Sequence, residues 1–533
     1  MFQNIWYAKE KTSLSPNGTL HLWDDEKGYM KFPFKQYAYK KDNTGEARSL
    51  FGDKLRKVNG WSIDDVDTGQ MFESDVDASM RTLIDRYFES DEISTNHRKW
   101  VIDIEVSMVG GSSEPHEANN EITSIALRKL GTEERIIIVL DKHELLRSRD
   151  VGTTKIYSLE SEMKLLNKFL AVFSEISPTI VTGWNVTEYD FPYLYNRIKN
   201  VLGKRFADRI SPIGLCTEGH SHNGKQTFSF AGFSILDYLY LYKQFNYNEE
   251  SSYTLDFIAK KELGRGKVEY DGSLDDLFRE DIEKFIHYNI VDCDLVSDMD
   301  EKLDFISLAQ TICHKGHVAY EDIVYTSRYL EGAALTYMKR VGVVAPNRQK
   351  QIKLVASRHH SKGEKILELD KAIPDAIPRK GKLKIFKSKT AVIEVYYLDV
   401  RENCFILEES LSDVVDPLMP IRLNLLGAFV KEPNLGRHEW IYDLDLQSLY
   451  PSIIMTLNIS PETKVGKILN WDAEEYLSAA NKEYIHYSKG KRKKMSHAQL
   501  TEYLTSNKYS IAYNGAMYRT DIKGFIPTIL ELW

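Results

Sequence analysis

The sequence predicts an α/β protein with an α+β multidomain organisation. Its 533 residues leave room for about three domains of ~150 residues each. Apolar and polar residues alternate over Lys99–Val106 and again over 440–446, a pattern typical of strands. A helical period follows an acidic start at Glu280 and Asp281, with apolar residues on one face at Phe285, Ile286, Ile290, Val291, Leu295 and Val296.

The composition is that of an ordinary globular protein, with 42% hydrophobic and 28% charged residues. The formal net charge of −8 gives no overall nucleic-acid signature, so any path for DNA must use local basic patches. An acidic total fits a protein with two metal-binding carboxylate clusters, and surface glutamates explain it equally well.

The cysteines and the N-terminus indicate a reducing compartment. The four cysteines have no CxxC spacing, and Cys313, His314 and His317 lack the second ligand pair that a zinc site needs. The N-terminus has no signal-peptide pattern, and no apolar run is long enough to span a membrane. We therefore predict a cytoplasmic protein that makes no membrane contact.

Residues 1–98 are rich in aromatic side chains and contain no catalytic constellation. Two uses are open for these aromatics: stacking on single-stranded bases, or packing in the core of a small domain, which we favour. They are Trp6, Tyr7, Trp23, Tyr29, Phe32, Phe34, Tyr37 and Tyr39.

Acidic residues at three separate places could share one metal site. Asp103 and Glu105 lie on one face of the predicted strand, where two carboxylates repel each other unless a cation lies between them. Asp190 comes shortly before a proline that can start a helix, and Tyr288 and Asp292 lie four residues apart on one helix face. Each segment alone is equally compatible with a solvated polar surface.

In this order, the five residues resemble the three motifs of DEDDy-type 3′–5′ exonucleases, which have an RNase H-like fold. The resemblance implies two Mg²⁺ (or Mn²⁺) ions bridged by Asp103. Glu105 and Asp292 would complete one metal site, and Asp190 would act through the second metal. Tyr288 would orient the attacking water or the scissile phosphate. Lys267 resembles a lysine that T-even-type phage polymerases keep near this site, although a surface lysine is the alternative.

Residues 445–454 read Asp-Leu-Gln-Ser-Leu-Tyr-Pro-Ser-Ile-Ile and closely resemble motif A of family B DNA polymerases. The resemblance makes Asp445 a metal ligand of the polymerase site. Leu446, Ser448 and Leu449 would bind the incoming deoxynucleoside triphosphate (dNTP) through backbone groups. Tyr450 would lie under the sugar and exclude a 2′-hydroxyl. From the residues themselves we predict that Pro451 ends a strand and that residues 448–452 form a turn.

The resemblance to T-even-type phage enzymes covers most of 99–345 and 420–533, but part of the polymerase signature is missing. The sequence contains neither the Asp-Thr-Asp-Ser hairpin nor the fingers motif Asn-Ser-Tyr-Gly. It ends on an apolar helix start. We therefore hypothesise a phage-encoded N-terminal subunit of a split polymerase, acting in the host cytoplasm. A truncated chain, a stand-alone exonuclease and a nucleic-acid-binding regulator are the alternatives.

This hypothesis implies several partners. Primer–template DNA and single-stranded DNA would be the substrates, and a C-terminal polymerase subunit would supply the fingers, the rest of the palm and the thumb. A sliding clamp would be reached through that partner chain. RNA is a further candidate ligand, because related phage polymerases bind it.

The predicted domains follow from these motifs. Residues 1–98 form an N-terminal domain with a return segment at 310–345, and 99–309 form the exonuclease domain. Residues 346–422 are an inserted or linker module, and 423–533 begin the palm. Two basic clusters could contact phosphates or be solvated surface, which we favour for the first. The first is Arg379, Lys380, Lys382, Lys384, Lys387 and Lys389, and the second is Lys489, Lys491, Arg492, Lys493 and Lys494.

Overall fold

The structure, a computed structural model, divides into two compact units, 1–347 with 450–533 and 348–449. We describe each unit by itself. The described residues are 1–9, 18–109, 111, 114–221, 223–246, 248–348, 354–371, 373, 381–387, 391–401, 403–424, 436–437, 448–478, 483–488 and 490–532.

A seven-stranded mixed sheet forms the centre of the first unit. The predicted strand Lys99–Val106 pairs antiparallel with Ile122–Lys129 and parallel with Ile180–Thr182. Across the sheet the order is Arg149–Val151, Thr154–Leu159, Arg135–Leu140, Ile122–Lys129, Lys99–Val106, Ile180–Thr182 and Ser234–Ile235. A separate hairpin, Cys216–His220 with Gln226–Phe230, follows later in the chain.

Helices cover both faces of this sheet, as the alternation in Lys99–Val106 requires. Trp100, Ile102 and Ile104 pack in one core with the apolar residues of helices Glu162–Ile176 and Asp190–Leu202. Val101, on the opposite face, packs in a second core with the helix Ile282–Leu303. The α/β class is therefore confirmed, and the polar residues of the strand face Ile282–Leu303.

The N-terminal region contributes two further sheets. Phe2–Lys9, Gly18–Asp24 and Gly28–Phe34 form an antiparallel sheet. The second sheet has the order Val343–Val344, Ala47–Ser49, Lys54–Val58, Ala38–Lys41 and Met71–Phe72, so part of the return segment pairs with the N-terminal strands. Most of the N-terminal aromatics are at least partly buried, in keeping with a packing role, whereas Tyr29 is 45% exposed.

The remaining helices of the first unit lie mostly between and after these sheets. They are Ile63–Asp67, Ala78–Tyr87, Lys204–Ala207, Tyr238–Phe245, Leu255–Leu263, Leu274–Glu280, Phe305–Gly316, Thr326–Arg340, Ala473–Leu477, His497–Ser506 and Phe525–Leu532, with 3₁₀ turns at Asp208–Ile210 and Tyr320–Val324. Helix Leu449–Leu457 begins at the boundary of the two units. Among the described residues, we find no helix whose length and apolar character would let it cross a bilayer.

The segment after 450 adds a five-stranded antiparallel sheet with its own small core. Its order is Lys491–Met495, Tyr484–Ser488, Lys464–Ile468, Ala516–Arg519 and Tyr509–Ile511. The second basic cluster lies on the edge strand of this sheet, where exposed lysines also discourage pairing with another chain. Lys494 pairs with Glu483 at 2.9 Å, and Lys489 lies outside the described residues.

The second unit is a six-stranded sheet around a separate apolar core. Its order is Leu354–Val355, Pro420–Asn424, Gly381–Phe386, Val392–Arg401, Cys404–Leu407 and Ile366–Glu368. Three lysines of the first basic cluster are ion-paired, Lys382 and Lys384 with Glu394 and Lys387 with Asp413. These pairs favour a solvated surface over a phosphate-binding one. Arg379, Lys380 and Lys389 lie outside the described residues.

Candidate metal centre

The candidate site lies between the strand Lys99–Val106 and the helix Ile282–Leu303, which we call the site strand and the site helix. Asp103 and Glu105 point from the strand toward the helix. On the neighbouring strand their partners are Ala126 and Ser124, opposite Asp103 and Glu105 respectively. These small side chains leave room for the helix to approach the carboxylates.

The site helix begins one residue later than its acidic start suggests. The preceding helix ends at Glu280, and Asp281 caps the site helix by accepting a hydrogen bond from the backbone N–H of Lys284 at 2.9 Å. Buried residues along the helix, including Phe285 and Leu295, hold it on the sheet. This packing fixes the rotation of the helix and turns Tyr288 and Asp292 toward the site strand.

The structure brings three of the predicted carboxylates together. One oxygen each of Asp103, Glu105 and Asp292 lies within 4.8 Å of the others, and this is the one such group of potential metal ligands in the described part of the chain. Asp190 lies against the same strand, because its Oδ1 accepts a hydrogen bond from the backbone N–H of Ile104 at 3.1 Å.

Lys267 belongs to the site, so the surface-lysine alternative is wrong. Its Nζ donates to Asp292 Oδ2 at 2.6 Å and to the hydroxyl oxygen of Tyr288 at 3.1 Å. Its ammonium group therefore neutralises part of the negative charge and holds the phenol beside the carboxylates. Because the phenol oxygen accepts from Lys267, its own hydrogen stays available for a further acceptor.

Burial and mutual repulsion make these carboxylates unusually basic. Burial raises the pKa of Asp103 well above its usual range, and the charges of Glu105 and Asp292 raise it further. Burial also raises the pKa of Glu105 and of Asp190. The pKa of Asp292 is raised by burial despite the opposing effect of Lys267. A site of this kind binds protons or cations readily.

The donor set fits a hard divalent cation. Asp292 is 2% exposed, and its Oδ1 is buried without a hydrogen-bond partner in the described structure, a costly state for a carboxylate oxygen. Carboxylate oxygens are the ligands that Mg²⁺ and Mn²⁺ prefer. A cation among Asp103, Glu105 and Asp292 would satisfy this oxygen and offset the repulsion between the three groups.

Backbone constraints after the strand Ile180–Thr182 place Asp190. A Cβ atom on Gly183 would lie 2.4 Å from the carbonyl oxygen of Ile102, so only glycine lets this segment approach the site strand. Buried Asp237 accepts hydrogen bonds from the backbone N–H groups of Asn185 and Thr187 at 3.1 and 2.9 Å. Helix Asp190–Leu202 then starts with Asp190 against the strand, close to the predicted helix start.

Sequence reasoning missed three polar residues around the carboxylates. Asn289 donates to Asp103 Oδ2 at 2.6 Å, Ser124 donates to Asn289 Oδ1 at 2.7 Å, and Asp237 anchors the segment before Asp190. Asn289 could have been found, since it follows Tyr288 and is a polar residue on an otherwise apolar helix face. Ser124 and Asp237 carry no comparable local signal.

The motif A residues are only partly described. Asp445 and Leu446 lie outside the described residues, so the structure does not test the polymerase metal ligand. The predicted turn at 448–452 is wrong, because helix Leu449–Leu457 already includes Leu449, Tyr450 and Pro451. Proline is tolerated in a first helical turn, where its missing N–H has no partner to lose. Ser448 just precedes this helix with a φ of 55°.

The Cys-His segment of the sequence has other partners in the structure. His314 Nε2 lies 2.8 Å from the hydroxyl of Tyr320, and His317 Nε2 lies 2.8 Å from the carbonyl oxygen of Tyr87. These hydrogen bonds join helix Phe305–Gly316 to its surroundings. Both histidines therefore have a structural role in this packing.

Two sequence profiles of one family match most of the chain. The profile described as DNA polymerase family B, exonuclease domain, matches residues 54–258, and the profile described as DNA polymerase family B matches 303–531. The first contains Asp103, Glu105 and Asp190, and the second contains the motif A segment. Tyr288 and Asp292 fall between them. The chain belongs to family B of the DNA polymerases.

Known relatives agree with this family. The chain is 27% identical over 372 residues to a DNA-directed DNA polymerase of Escherichia phage RB69, covering 69% of this chain and 31% of that protein. It is 27% identical over 371 residues to that of Enterobacteria phage T4, with the same coverage. It is 29% identical over 270 residues to DNA polymerase II of Escherichia coli K12, covering 47% and 31%. The chain thus spans about a third of the length of these relatives.

Proposed function

We propose that this chain is the metal-dependent 3′–5′ exonuclease portion of a DNA polymerase and removes deoxynucleotides from single-stranded 3′ ends. The observation that supports this most directly is the meeting of Asp103 and Glu105 with Asp292, whose buried Oδ1 has no partner in the described structure. The family match at 54–258 supports the same activity.

In this proposal Asp103, Glu105, Asp190 and Asp292 hold two Mg²⁺ or Mn²⁺ ions, which neutralise phosphodiester charge and make a bound water more acidic. Lys267 keeps Asp292 and Tyr288 in place through its two hydrogen bonds. The free hydrogen of the Tyr288 hydroxyl then donates to the scissile phosphate or to the attacking water. Burial of these groups excludes competing water from the charged centre.

The test is digestion of a 5′-labelled single-stranded oligodeoxynucleotide with Mg²⁺, resolved at single-nucleotide steps. We expect shortening from the 3′ end by the wild-type chain and none by Asp103→Ala. Asp150→Ala, which removes an exposed aspartate on Arg149–Val151, is the matched control and should keep full activity. Full activity in Asp103→Ala would remove the assignment.

We further propose that the chain contributes Asp445 to a nucleotidyl-transfer site completed by a partner polypeptide. The motif A sequence and the family match at 303–531 support this. Leu446, Ser448, Leu449 and Tyr450 would bind the dNTP. The second metal-binding carboxylate and the fingers would come from the C-terminal polymerase subunit.

The same proposal covers partners and location. Primer–template DNA would bind across both chains, and a sliding clamp would be contacted by the partner. The phage relatives support a phage-encoded enzyme that works in the host cytoplasm. The domain bounds 1–98, 99–309, 346–422 and 423–533 remain predictions.

A further inference from the structure

We infer that Asn289, itself held by Ser124, is the positioning residue that fixes the carboxylate of Asp103 in the candidate metal centre. Asn289 Nδ2 lies 2.6 Å from Asp103 Oδ2, and Ser124 Oγ lies 2.7 Å from Asn289 Oδ1. The three side chains therefore form a continuous chain of hydrogen bonds from the neighbouring strand to the metal centre. This inference rests on the proposed exonuclease function.

The direction of the Asn289 amide follows from its two partners. An ionised Asp103 carboxylate can only accept hydrogen bonds, so the NH₂ end of the amide must face it. The Ser124 hydroxyl then donates to the amide oxygen at the other end. Asn289 and Ser124 are both 0% exposed, so no bulk water competes for these bonds. A reversed amide would place two acceptor oxygens in contact at Asp103.

Asp103 needs such a partner because its other neighbours repel it. The charges of Glu105 and Asp292 both act against an ionised Asp103, and rotation about its side-chain bonds could relieve that repulsion. One N–H bond from Asn289 holds the carboxylate in place and leaves its remaining lone pairs for a cation. The amide is neutral, so it orients the ligand without changing the charge of the site. Loss of an outer partner of this kind typically lowers metal affinity or activity about 10–100-fold.

The experiment is a Mn²⁺ titration of the full chain, with free Mn²⁺ measured by electron paramagnetic resonance. Binding to Asp103→Ala is subtracted, so that only ions at this centre are counted. We expect Asn289→Ala to weaken Mn²⁺ binding about 10–100-fold. Ser124→Ala should weaken it less, because the amide then loses only its support. The double variant should bind like Asn289→Ala, because Ser124 acts through Asn289.

A matched control exists in the same unit. Asn4 donates to Ser234 Oγ at 3.0 Å, and both residues are buried. Neither contacts a carboxylate of the centre. Asn4→Ala therefore removes a serine-linked buried amide of the same kind, and it should leave Mn²⁺ affinity unchanged even if it lowers the unfolding temperature.

Unchanged Mn²⁺ affinity in a folded Asn289→Ala variant would overturn the inference, as would losses in the two single variants that multiply in the double. If Asn289→Ala does not fold, Ser124→Ala decides, and wild-type affinity there overturns it. Nuclease assays of the same proteins separate the two proposals. A wild-type chain that binds Mn²⁺ through Asp103 yet digests no DNA would refute the proposed function and leave the positioning role standing.

Discussion

At the scale of single residues, the site is defined by carboxylates placed closer together than charge repulsion allows. Two ionised groups at about 5 Å repel by ~3 kcal/mol at an effective dielectric of ~20. Asp103, Glu105 and Asp292 lie within this range of one another. Without a cation, protonation is the main way to relieve the repulsion, which explains why their pKa values are raised. The site is therefore built for metal binding at a cost in stability of the metal-free chain.

This cost predicts a pH dependence of stability that depends on Glu105. Its pKa is raised to about 8, above that of an exposed glutamate, chiefly by burial and then by the charge of Asp292. The folded chain thus holds this proton more tightly than the unfolded chain, so its contribution to stability falls as pH rises from about 5 to about 8. Glu105→Gln does not ionise. In EDTA, its unfolding temperature relative to wild type should rise over this range by on the order of a few degrees.

Thermal unfolding of both proteins at pH 5, 6.5 and 8 measures this difference. The control is Glu175→Gln, which changes an exposed glutamate near the end of helix Glu162–Ile176. Its difference from wild type should stay constant with pH. A constant difference for Glu105→Gln as well would contradict the raised pKa.

Lys267 predicts a gain of metal affinity when it is removed. Its ammonium group occupies Asp292 Oδ2, so it competes with a cation for that oxygen. Lys267→Met leaves one more uncompensated negative charge in the centre. We expect Mn²⁺ to bind about tenfold more tightly at pH 8, equal to ~1.4 kcal/mol. Titration of the variant beside Lys155→Met, which changes an exposed lysine, measures this. Weaker binding would show that Lys267 supports the ion.

At the scale of elements, the site depends on how closely three segments approach the site strand. The site helix comes close because small residues, Ser124 and Ala126, lie opposite the carboxylates. The segment before Asp190 comes close because Gly183 has no side chain. Strand, helix and loop each form from local sequence patterns, but their distances depend on these small residues.

Gly183→Ala should therefore damage the site without touching a carboxylate. The new Cβ would clash with the Ile102 carbonyl oxygen at 2.4 Å, so the segment must move away from the site strand. Asp190 would then lose its hydrogen bond from Ile104. We expect exonuclease activity to fall at least tenfold. Overpacking of this kind costs about 1–3 kcal/mol, which lowers the unfolding temperature by several degrees.

The matched control for this variant is Gly60→Ala, since a Cβ at Gly60 would meet no atom within 4 Å. Activity assays and thermal unfolding of both variants give the comparison. Wild-type activity in Gly183→Ala would show that the close approach does not position Asp190.

At the scale of the whole molecule, the chain carries two functional segments in very different states of completeness. The carboxylates of the metal centre come from positions as distant as 103 and 292 and meet in one unit. The motif A segment lies far beyond them, and the chain covers about 31% of the phage relatives it matches. The two proposed activities should therefore be separable.

Asp103→Ala and Asp445→Ala test this separation in the complex with the proposed partner. We expect Asp445→Ala to abolish primer extension and to leave digestion of single strands unchanged, because its segment is not part of the metal centre. Asp103→Ala should do the opposite. Primer extension and 3′-end digestion, measured on the same preparations, give both readouts. Primer extension by this chain without a partner would contradict the split site.

Much of the fold and site could be predicted from the sequence. The alternation of Lys99–Val106 determines which residues face the core, since successive strand residues point to opposite faces. The spacing of Tyr288 and Asp292 places both on one helix face for the same local reason. Motif order then identified Asp103, Glu105, Asp190 and Asp292 as one set, three of which the structure brings within 4.8 Å.

The sequence by itself determined the elements, their faces and the candidate ligands, because periodicity and motif spacing are local properties. Only the tertiary structure decided that Lys267 pairs with Asp292, that Asn289 links Ser124 to Asp103, and that Gly183 sets the approach of Asp190. These relations join residues that are distant in the chain. They depend on how helix, loop and sheet pack, which no local pattern records.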